Sequence, residues 1–122
     1  MTEMLIFQTF FLLLCGHAMA DFALQSEWIA TNKNRHARKN LDTQKLYKAQ
    51  IIWPYLMSAH SLIHGLMVFL ITGKLLLGVA ETVVHWIIDF AKCERWFGFH
   101  TDQFLHVLCK VIWVYLIISQ TV

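Results

Sequence analysis

Four pairs of ionisable residues stand four positions apart in otherwise apolar stretches: His17/Asp21, His60/His64, His85/Asp89 and Asp102/His106. Side chains at i and i+4 share one face of a helix. The series continues on the same faces, with Gln25 after Asp21, Glu81 before His85 and Lys110 after His106. Imidazole and carboxylate gathered in one place suit a divalent transition metal, zinc first, with iron or manganese as alternatives; calcium and magnesium prefer shells of oxygen. The expected metal ligands are His60, His64, His85 and Asp89, with His17 and Asp21 either completing the set or forming a second position. Gln25, Asp102 and Gln103 are read as residues that orient the ligands by hydrogen bonding.

A metal held in this way acidifies water and polarises an ester or phosphoryl oxygen. Glu81 is then the candidate base, and His106 and Lys110 the candidates for steadying negative charge. A zincin-type protease is a poor match, because HSLIH places Ser61 where the HExxH motif needs its catalytic Glu. Cys15, Cys93 and Cys109 form no CxxC pair and imply neither a disulfide framework nor thiolate ligation. His36 and His100 fall outside the four faces and read as solvated histidines.

These faces need long helices to carry them. The chain has 122 residues, 57% of them hydrophobic, which places it beyond the usual apolar share of a soluble domain. A spanning helix takes roughly 20 mostly apolar residues, and apolar runs of that length predict helices over about 4–30, 46–72, 75–95 and 102–119. The expected fold is therefore all-α: a single integral membrane domain, 1–122, of about four transmembrane helices. The first run contains a sequence resembling a signal-peptide cleavage site, Ala18-Met19-Ala20. It carries no leading basic residue, however, and its polar pattern continues past that point, so a retained helix is expected.

Six of the ten basic residues (Lys33, Arg35, Arg38, Lys39, Lys45 and Lys48) lie in the polar stretch after the first helix. With the Lys92/Arg95 turn, they place the 31–45 loop on the cytoplasmic side, and both chain ends and the Gly73-Lys74 turn on the other. The loop has no aromatic interleaving or base-reading motif, so nucleic acid is not an expected partner. Membrane lipid is the expected partner, and a thin bundle of this kind could form a homo-oligomer.

Ionised side chains cost about 2.5–3.5 kcal/mol each at the centre of a lipid-facing helix, so the polar faces should meet inside the bundle. Counting about 1.5 Å of rise per residue from the cytoplasmic ends, Asp21, His60, His85 and Asp89 come out on the order of 10–16 Å deep. One such pair reads plainly as a buried polar contact between helices. Four pairs at matched depth point to a site.

The ordered motifs HAMADFALQ, HSLIHG, HWIIDFAK and DQFLH resemble the small bacterial and phage membrane-protein family known as domain of unknown function 3307. The resemblance covers nearly the whole chain. It marks His17, Asp21, Gln25, His60, His64, His85, Asp89, Asp102, Gln103 and His106, and implies a helical protein of the bacterial inner membrane, phage-encoded in some cases, without an assigned reaction. A looser similarity of pattern extends to small inner-membrane proteins classed as metal-dependent hydrolases.

The functional expectation is a metal-binding membrane protein that hydrolyses a lipid or lipid-linked substrate at the cytoplasmic side. Its alternatives are a transporter or channel element for a metal ion, protons or a small polar solute, and a non-catalytic phage-type membrane protein.

Overall fold

Thr2 opens the first helix, its Oγ1 accepting the Leu5 N–H at 3.3 Å, and α1 runs over Glu3–Ala18. This is a computed structural model, and it describes residues 2–36 and 51–122. The remainder of the expected basic loop, 37–45, and the 46–50 start of the expected second helix lie outside the described residues.

Where one helix over about 4–30 is expected, the chain changes register. Met19–Ala23 forms a π-helical turn in which the Leu24 N–H reaches back five residues to the Met19 carbonyl at 2.8 Å. A short helix α2, Glu27–Asn32, follows, capped by Ser26 Oγ accepting the Ile29 N–H at 3.2 Å.

The helix α3 spans Trp53–Thr72 with Pro54 in its first turn, where the missing N–H costs nothing. Gly73, at φ 67°, ends it in the left-handed conformation that glycine adopts without a steric penalty. The chain turns directly into α4, Leu75–Cys93. Arg95 at φ 63° closes α4 before the expected 95, and α5 occupies Phe99–Ile118. Asp102 lies in the first turn of α5.

The four long helices form a ring in which α1 packs on α3 and α5, and α4 on α3 and α5, with no close backbone approach across either diagonal among the described residues. The α3–α4 contact is the most extensive because two glycines let the backbones touch. A Cβ on Gly65 would run into Thr82 Oγ1 and come within 2.6 Å of the Gly78 carbonyl oxygen, and one on Gly78 within 2.9 Å of the Gly65 carbonyl oxygen.

The ring is apolar outside and polar within. Phe7, Phe11, Leu66, Leu76, Val83 and Phe104 are exposed, whereas all the paired histidines and aspartates are buried. A soluble protein sorts its residues the other way, and lipid is the solvent that suits this one. Among the described residues, three segments, Glu3–Ala23, Trp53–Thr72 and Phe99–Ile118, are long and apolar enough to cross a membrane. Against an expectation of about four spans, α4 falls outside that set. It is 19 residues long but carries Glu81, Asp89 and Lys92, which the bundle buries or half-buries.

Along the axis, one half is filled by Leu13, Val68, Leu77, Cys109, Trp113 and Val114. The other half, towards α2 and the α4–α5 turn, holds the polar cluster.

Candidate metal centre

Asp21 is the hub of one side of the cluster. The π turn carries its carboxylate, and Oδ1 receives the Nε2–H of both His60, at 3.1 Å, and His64, at 3.2 Å. Its Oδ2 accepts from Gln103 Nε2 at 2.9 Å and lies 3.7 Å from His17 Nε2. Gln103 Oε1 in turn meets His17 Nε2 at 3.0 Å. Gln25 does not reach the carboxylate; it donates to the Asp21 backbone carbonyl at 3.0 Å, a carbonyl left free where the helix ends.

Asp89, one turn from the end of α4, is the hub of the other side. Its Oδ1 is 3.3 Å from His106 Nε2, and its Oδ2 is 3.5 Å from both His60 Nε2 and His85 Nε2. His106 Nε2 also lies 3.2 Å from Asp102 Oδ1. The rings of His64, His85 and His106 stack in sequence, with centroids 3.6 and 4.2 Å apart.

Glu81 and Lys110 sit one turn deeper and bind each other. Glu81 Oε1 accepts from Lys110 Nζ at 2.5 Å and Oε2 from Trp113 Nε1 at 2.6 Å. Among the described residues, Glu81 reaches the cluster only through His85 Nδ1, at 3.7 Å. Both oxygens of the carboxylate are thus engaged, and the pair lies beneath His85.

Two groups of donor atoms converge closely enough to hold a cation: Asp21 with His60, His64 and His85, and His85 with Asp89 and His106, the atoms of each group lying within 4.8 Å of one another. Tetrahedral zinc with bonds near 2.0–2.1 Å places its ligand atoms about 3.3 Å apart, close to the Asp21–His60 and Asp21–His64 distances.

Two further observations fit a cation in the first group. His85 is 1% exposed, and neither of its ring nitrogens makes a hydrogen bond among the described residues; such an orphan is costly unless something binds it. The buried carboxylates are also unequally paired. Lys110 faces Glu81, a lysine faces Asp89 at 2.5 Å, and Lys92 faces Asp102 at 3.5 Å. Asp21 alone has no lysine or arginine within ion-pair distance among the described residues, only imidazoles and an amide. An unpaired buried carboxylate is expensive, and a cation among these ligands removes that cost.

The lysine on Asp89 is Lys33, which sequence reasoning placed in the topological loop. It extends from the end of α2 into the cluster and is 3% exposed. No spacing rule marks it, because its partner lies 56 positions away. Its neighbour Asn32 is likewise buried, donating to the Trp28 carbonyl at 2.8 Å.

Outside the bundle, Arg35 donates to Glu94 through Nε at 2.5 Å and Nη2 at 3.0 Å, and His36 meets the same carboxylate at 3.0 Å. Hydrogen bonds from Arg35, then His36, hold the Glu94 carboxyl down to about 2, and the same contact raises Arg35. His36, expected to be merely solvated, is thus a surface tether. His100 is exposed beside Phe99.

No curated protein and no solved structure matches this chain. The family described as Protein of unknown function (DUF3307) matches residues 9–122, nearly the whole bundle and every residue of the cluster, and the chain belongs to that family.

Proposed function

We propose that this is an integral membrane protein of four spans, α4 included, that binds one divalent transition metal, zinc first, through Asp21, His60, His64 and His85. The observation that carries this reading is Asp21, a buried carboxylate ringed by imidazoles that lacks, among the described residues, the lysine partner that Glu81, Asp89 and Asp102 each have. His85, whose two ring nitrogens make no hydrogen bond among the described residues, supplies the fourth donor.

The reaction we propose is hydrolysis of an ester or phosphoester in a lipid or lipid-linked substrate, at the cytoplasmic side of a bacterial inner membrane. The metal supplies the Lewis acidity that activates water and polarises the scissile group. Gln103 holds Asp21 and His17 in register. His106, between Asp89 and Asp102, is the residue placed to carry a proton. In this reading Glu81 and Lys110 position His85 rather than act on substrate.

Transport is the second reading, and one observation favours it: the Glu81–Lys110 pair extends polar groups a turn beyond the histidines. Against it, Leu13, Val68, Leu77, Trp113 and Val114 pack the axis beyond.

The test is metal content after detergent purification. Wild type should hold about one metal per chain, Asp21→Asn and His64→Ala should lose it, and all three should keep their helical spectrum. Metal-free wild type would end this reading. Retained metal with ion flux in reconstituted vesicles would favour transport, and retained metal with release of a lipid headgroup would favour hydrolysis.

A further inference from the structure

We propose that Lys33 occupies a second cation position, formed by Asp89, His85 and His106, and that a second divalent transition metal enters it when the lysine is withdrawn. The proposal rests on the reading of Asp21, His60, His64 and His85 as the first position.

Lys33 reaches the cluster from outside the four-helix ring. Its Nζ lies 2.5 Å from Asp89 Oδ2, the oxygen that also faces His60 and His85 at 3.5 Å each. The other oxygen of the same carboxylate faces His106 at 3.3 Å. His85, Asp89 and His106 already converge as a set of cation ligands, and neither buried ring nitrogen of His85 makes a hydrogen bond among the described residues, so the ring can serve each position with one nitrogen. An ammonium thus stands where these donors could bind a metal. Like charges exclude each other at this range, so the two cations are alternatives at Asp89.

The carrier of Lys33 is a short segment packed on α3 and is not one of the four helices of the ring. α2 has only six residues, and the non-helical joint over 24–26 separates it from the π turn. Besides Lys33, the charged contacts of this segment among the described residues are those of Arg35 and His36 with Glu94 and of Arg35 over the Phe90 ring at 5.4 Å. Exposed ion pairs of this kind are weak and screened by salt.

Equilibrium dialysis of the detergent-solubilised full chain against Co²⁺, with metal counted per chain, tests this. Wild type should bind one equivalent tightly and a second only at high metal. Lys33→Gln should bind two, the second tightened by about tenfold or more as the competing charge is lost. Lys33→Gln/Asp89→Asn should return to one.

A folded Lys33→Gln variant that binds one equivalent, or a double variant that keeps two, overturns the proposal. If wild type is metal-free but Lys33→Gln takes one equivalent that Asp89→Asn abolishes, the lysine-held position stands and the Asp21 position falls. If neither takes any, both fall. Should Lys33→Gln not fold, wild type and Asp89→Asn decide: the weak second equivalent must vanish in Asp89→Asn, and its persistence overturns the proposal.

Discussion

Gln103 on α5 donates its Nε2–H to Asp21 Oδ2 at 2.9 Å, across the α1–α5 contact. Its other amide atom meets His17 Nε2, so one side chain sets the rotamer of two neighbours. Outer partners of this kind are worth about 10–100-fold in metal affinity. Gln103→Leu should therefore weaken metal binding by that factor in a competitive chelator titration, with helicity unchanged. Unaltered affinity would show that Asp21 needs no such support.

The Glu81–Lys110 pair makes a stability prediction. Glu81→Gln leaves a buried ammonium without its carboxylate, and breaking a buried pair in this way costs about 3–5 kcal/mol. The double variant Glu81→Leu/Lys110→Met should recover most of that loss, because neither charge then remains. Denaturant unfolding in detergent measures both. A Glu81→Gln variant as stable as wild type would mean that Lys110 finds water or another acceptor.

Much of the cluster was legible in the sequence because helical spacing is local. His17, Asp21, His60, His64, His85, Asp89, Asp102 and His106 share faces by the i,i+4 rule, and their burial follows from the cost of showing such faces to lipid. Lys33 was not legible: its pairing with Asp89 depends on where α2 folds back, and a lysine in a basic stretch carries no mark of its destination. The grouping of Asp21 with His60, His64 and His85 was also out of reach, since ring order and helix rotation decide it. Three of the four expected spans are long and apolar enough by themselves; in α4 the residues that build the site dilute the hydropathy.

Packing of the hairpin gives a third prediction. Gly65→Ala places a methyl against the Gly78 carbonyl and Thr82, forcing α3 and α4 apart. Overpacking of this kind costs about 1–3 kcal/mol. Because His60 and His64 are on α3 and His85 is on α4, metal affinity should fall along with thermal stability. A Gly65→Ala protein with wild-type melting and metal content would contradict the close contact.

The surface tether makes a pH prediction. Glu94 is held at about 2 by Arg35 and His36, below the ordinary carboxylate value of about 4.3. A depressed carboxyl stabilises the folded contact above its unfolded value and loses that contribution as pH falls through the folded one. Pepsin cleavage within 26–36, normalised to an unstructured control, should thus stay low at pH 5 and rise towards pH 2. Glu94→Gln should cleave readily at both. Equal cleavage of wild type and variant at pH 5 would show that the tether does not hold α2.

The π turn at Met19–Ala23 is equivalent to one residue inserted into an α-helix. Removing a single residue there would restore regular winding, and at 3.6 residues per turn would rotate everything that follows by about 100°. Asp21 and the segment carrying Lys33 would lose their alignment with the helix of His17. Chain length across these five residues is therefore as strict a requirement as the identity of any ligand, and a one-residue deletion should be more damaging here than conservative substitutions at the same positions.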